Sequence, residues 1–157
     1  MNIATFEYAG LWRRLGAVLI DVFLVTMVLA AGVLGWITLT EQTPEWGSRF
    51  LNVWITGTVI IALLLKVVLD AELQGTPGLH LVDCRIVDAR SGHGISIGKS
   101  IKRNLGIIVS ILPALLGLAW IVWDKRKQGF HDKLAGTVVI RDDDALKSLT
   151  ELAQESS

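Results

Sequence analysis

Asp21 stands inside a run, Leu15 to Leu39, that carries no other charge. A charge at the centre of a bilayer costs between about 2.5 and 17 kcal/mol, depending on how far the membrane and side chain adapt. Such a carboxylate must therefore face protein or water. It can bind a proton or metal cation during transport, or it can pair statically with a cation and lock helices together. Arg14, seven positions earlier on nearly the same helical face, lies about 10 Å away along the axis, too far for a direct bond. Arg14 is expected to stay near the interface, and Lys66, with its long flexible stem, is the expected partner of Asp21. Both readings of the pair, pathway and clasp, remain open from the residues alone.

A second group gathers Lys102, Arg103, His131 and Asp132, which could meet at the cytoplasmic surface. His131 beside Asp132 invites a catalytic reading. The chain, however, offers no nucleophile elbow, no HExxH and no second histidine at ligand spacing, so an enzyme is not expected. Cys84 is the single cysteine, expected as a buried small side chain rather than a metal ligand. No metal site, cofactor loop or nucleic-acid footprint is read. Lys125, Arg126 and Lys127 are expected to contact anionic lipid headgroups.

These groups need elements to hold them. With 52% hydrophobic residues and a mean hydropathy of +0.52, the 157-residue chain is too apolar for an ordinary soluble fold of its size. The run from Leu15 is too long for a secretory signal core and long enough to cross a bilayer, as is 50–69. Glu41, Glu45 and Arg49 lie between them, while basic residues cluster at 13–14, 99–103 and 125–127, which places both termini in the cytoplasm. Trp12, Trp36, Trp46, Trp54, Trp120 and Trp123 mark span ends, with one or two expected in ordinary packing.

Segment 81–88, set between turn signals, and the β-branched run 136–141 are expected to pair as a small β-ribbon at the membrane surface. That pairing needs both on one side. The third apolar stretch, 105–123, is accordingly read as a re-entrant hairpin turning near Pro113, with a straight third crossing as the alternative. The fold class is thus an all-α membrane protein with two transmembrane helices, a Pro-broken third segment and a cytoplasmic ribbon. The membrane domain covers 1–142; 143–157 forms a tail, with Asp144 capping a short amphipathic helix before disorder. Gly16, Ala17, Ala30, Ala31, Gly32 and Gly35 permit close helix approach, either within the chain or between copies.

Taken together, the motifs resemble the RDD family of small membrane proteins, named for one arginine and two aspartates. YAGLWRRLGAVLID looks like the family's opening, with Arg14 and Asp21, and FHDKLAGTVVI like its close, with Asp132. GTPG, RIVDARSGHGISIGKSIKR and DKRKQ fall between them in family order. Two departures stand out: Leu79 and His80 follow GTPG where the family carries a basic residue, and Asp83 replaces a glycine. The resemblance implies a membrane domain for which transport of ligands or cations has been suggested and which also occurs within larger assemblies. The leading expectation is a bacterial inner-membrane transporter exchanging a monovalent cation for a proton at Asp21, with Arg14, Lys66, Arg103 and Asp132 setting its charge. Conduction would most simply need a homo-oligomer. The competing expectation is a structural or assembly subunit that binds lipids or a partner membrane protein and transports nothing.

Overall fold

The computed structural model describes residues 7–111 and 120–141, with backbone alone at 108–111. Two long helices dominate: α1, Leu11–Thr40, and α2, Arg49–Glu72. Both are long and apolar enough to cross a membrane, and only 6% of each apolar window is buried. Helix α1 ends where Glu41 turns left-handed at φ 57° and its N–H caps the Ile37 carbonyl. Helix α2 starts on the Ser48 hydroxyl, which accepts from the Leu51 N–H at 3.3 Å.

The two helices meet through aromatic side chains. A Cβ on Gly32 would fall 2.1 Å from the Trp54 ring, so this glycine makes the slot that the indole fills. The Trp54 Nε1–H donates to the Leu29 carbonyl at 3.2 Å, and Trp36 stacks on Phe50 with centroids 4.1 Å apart. Trp54 and Trp36 therefore pack between helices, whereas Trp12, Trp46, Trp120 and Trp123 are exposed.

A polar cap closes one end of this pair. It comprises α3 (Pro77–Leu81), β1 (Cys84–Asp88), α4 (Ile97–Ile111), a 3-10 turn at Trp120–Val122, α5 (Phe130–Ala135) and β2 (Thr137–Arg141). The expected ribbon forms, antiparallel, with Ile86 opposite Val139 and Asp88 opposite Thr137. It is shorter at its start than the 81–88 segment because Thr76 caps α3 and Pro77 begins it, drawing Leu81 into the helix. Tyr8 extends the ribbon by a bridge to Ile140, with the Ala9 N–H donating to the Val139 carbonyl at 2.9 Å. Ala17, Cys84, Ile86, Ile95 and Val139 pack on one face of the ribbon; Val87, Val138 and Ile140 pack on the other.

The cap's outer helices are inverted relative to a soluble protein. Helix α4 buries Ser100, Arg103 and Gly106 at three-residue spacing while Ile97, Ile101 and Leu105 are exposed. Helix α5 buries His131, Asp132 and Ala135 and exposes Phe130 and Leu134. An apolar outside over a charged inside suits lipid, not water, as the surrounding medium. The helix entering the third apolar stretch starts at Ile97, eight residues before the stretch itself. The turn near Pro113 and the tail helix lie outside the described residues.

Candidate functional site

Five charged side chains from four helices form one chain of bonds. Asp132, fully buried at the third position of α5, accepts from Arg14 Nη1 at 2.5 Å on one oxygen and from Arg103 Nε at 2.9 Å on the other. Its Oδ2 also accepts the Gly129 N–H at 3.2 Å, capping α5. Arg103 continues to Asp70, 3.4 Å away, and Asp70 in turn holds Lys66 at 3.0 Å. The Asn104 amide donates to the same Asp70 carboxylate at 3.2 Å. Arg14 spends its remaining donors on the carbonyls of Ala9, at 3.2 Å, and Lys127, at 2.7 Å. α1, α2, α4 and α5 are thereby tied together at one level.

Burial alone would push the Asp132 carboxyl up, but the guanidiniums of Arg14 and Arg103 outweigh it and hold the group well below the usual range. His131 responds in the opposite sense. Burial, with Arg103 and Arg14 adding to it, outweighs the pull of Asp132 and lowers the imidazole to about 4, so it is neutral at pH 7. Its Nδ1 is buried with no hydrogen-bond partner among the described residues, and its backbone packs so tightly on α4 that a Cβ at Gly106 would lie 3.0 Å away.

Asp21 does not join this network. The expected Asp21 to Lys66 pair is replaced by Lys66 to Asp70, four residues apart on one helix, where the two side chains are already neighbours. Asp21 instead accepts the Thr76 hydroxyl at 2.6 Å and the Gly78 N–H at 2.8 Å. Both donors come from GTPG, so the carboxylate fastens the start of α3 to α1. The contact is close: a Cβ on Gly78 would sit 2.1 Å from the Ala17 carbonyl oxygen. Nor is Asp21 at the middle of a span. The first turns of α1 belong to the cap, with Arg14 and Ala17 buried there. The uncharged stretch begins at Val22 and runs 19 residues to Thr40, about 28 Å of helix against a hydrocarbon core of about 30 Å.

Of the second expected group, Arg103, His131 and Asp132 do converge, while Lys102 is exposed. The basic triplet is divided. Lys125 and Arg126 border a concavity with Trp120, Trp123 and Lys133, whereas Lys127 borders another with Gly10, Trp12 and Arg13. Asp70, which directly follows the apolar stretch 50–69, is the network residue that the sequence reading missed; its signal was Lys66 one helical turn before it.

The RDD family model matches residues 8–136. The chain belongs to the RDD family. No curated protein and no solved structure matches it. In this RDD chain the arginine and the second aspartate bond to each other, and the first aspartate bonds to GTPG. Asp83 adopts φ 52°, the left-handed region that glycine enters without steric cost.

Proposed function

We propose that this RDD protein is a non-enzymatic assembly module of the bacterial inner membrane, in which the ionisable residues clasp the cap onto two spanning helices. It binds lipids or partner membrane proteins through its apolar exterior, with both termini in the cytoplasm. The supporting observation is Asp132: a fully buried carboxylate that accepts from Arg14, Arg103 and the Gly129 N–H is engaged by the protein's own donors rather than open to a travelling ion. Removing one partner from such a pair costs about 3–5 kcal/mol, which makes the network a strong constraint on the fold. In proteoliposomes the protein should give no cation-dependent proton flux above protein-free vesicles, and Asp132→Asn should lower its melting temperature in detergent.

One observation favours the other reading, monovalent cation and proton exchange. The two donors on Asp21 are neutral, and among the described residues no cation lies within ion-pair distance of it. Flux that Asp21→Asn abolishes in a folded protein would establish exchange and overturn the assembly reading.

A further inference from the structure

The concavity between the 3-10 turn and α5 has the composition of a phosphate site at a membrane surface. Trp120 and Trp123 form its apolar side, and Lys125, Arg126 and Lys133 its cationic side, around about 410 Å³. Asp124 builds the loop. One of its oxygens accepts the N–H groups of Arg126 and Gln128, each at 3.1 Å, and the other holds the Lys133 ammonium. Lys133 also lies 5.5 Å over the Trp120 ring, so it is fixed from two sides. Lys125 and Arg126 make no side-chain bond among the described residues and are exposed. With three cations and one carboxylate, the site carries a net charge of +2.

Trp123 is 76% exposed and Val122 61%, and Phe130 and Leu134 on α5 are exposed as well. Exposed indoles next to unpaired cations are matched by the boundary between acyl chains and headgroups. We propose that this concavity binds the headgroup of an anionic phospholipid bearing two phosphates, with Lys125 and Arg126 on the phosphates and the two indoles at the glycerol level. This rests on the assembly reading and names its lipid ligand. A soluble diphosphate would share the charge but not the need for the indoles.

The test is native mass spectrometry of the full chain released from nanodiscs containing cardiolipin, phosphatidylglycerol and phosphatidylethanolamine in equal amounts. Cardiolipin should be retained over the other two. Lys125→Gln with Arg126→Gln should weaken its binding about 30-fold, from roughly 1 kcal/mol per basic residue. Because neither side chain enters the Arg14 to Asp132 network, the double variant should melt like the parent, which separates loss of the site from loss of fold. Equal retention of the three lipids, or unchanged cardiolipin binding in the double variant, would overturn the proposal. So would pyrophosphate competing fully with cardiolipin while Trp123→Ala leaves retention intact, since the ligand would then be a soluble diphosphate. Proton flux plays no part in this readout, so its outcome and that of the transport assay are independent.

Discussion

At the scale of single residues, the two aspartates of the RDD signature have different energetic weights. Asp132→Asn leaves two buried guanidiniums facing a neutral amide and should destabilise by about 3–5 kcal/mol. Asp21→Asn keeps an oxygen that can accept one of its two neutral donors, so its cost should be nearer 1 kcal/mol. Denaturation in mixed micelles would separate the two values. His131 supplies the pH dependence. Its folded value lies below its unfolded value of 6.5, at about 4, so its contribution is complete above pH 6.5 and is lost as the pH falls toward 4. The loss should reach roughly 3 kcal/mol, and His131→Gln should flatten it in a series of melting curves against pH. Asp132, held below its unfolded value of 3.8, loses its own contribution as the pH falls through that value, so it adds slope only at the acid end of the window and below it.

At the scale of elements, two glycines make close approaches of different kinds. Gly78→Ala drives a Cβ into the backbone carbonyl of Ala17, which cannot rotate away, and should cost about 1–3 kcal/mol. Gly32→Ala meets the Trp54 side chain instead, so Trp54→Ala should rescue it but leave Gly78→Ala unrelieved, as paired melting curves would reveal. The long helices and the ribbon were legible in the sequence, because length of apolar run and β-branched residues between turn signals are local properties. The start of α4 at Ile97 was not. Its buried face is polar, so the apolar run that marked the third segment reported only its lipid-like exterior and the stretch beyond it. The pairing of Asp21 was likewise illegible, since the donors on Thr76 and Gly78 are a hydroxyl and a backbone amide and carry no charge to match.

At the scale of the whole molecule, the cap reverses the usual arrangement of a soluble domain. Arg14, Asp70, Arg103, His131 and Asp132 are buried, while Ile101, Leu105, Phe130 and Leu134 are exposed. The uncharged length of α1 matches a bilayer, that of α2, residues 50–65, is about 24 Å before Lys66 begins, and the charged network sits at one end of both. The network and its low-dielectric surroundings depend on each other, because a lipid-facing exterior strengthens each interior bond and the bonds keep the charges from lipid. If the ionisable residues are a clasp, Arg14 and Asp132 must be energetically coupled. A double-mutant cycle with Arg14→Met and Asp132→Leu, read by denaturation in mixed micelles, measures that coupling directly. The predicted result is a double variant more stable than the sum of the single losses, by about 2 kcal/mol or more. Single losses that add within about 0.5 kcal/mol would contradict the clasp.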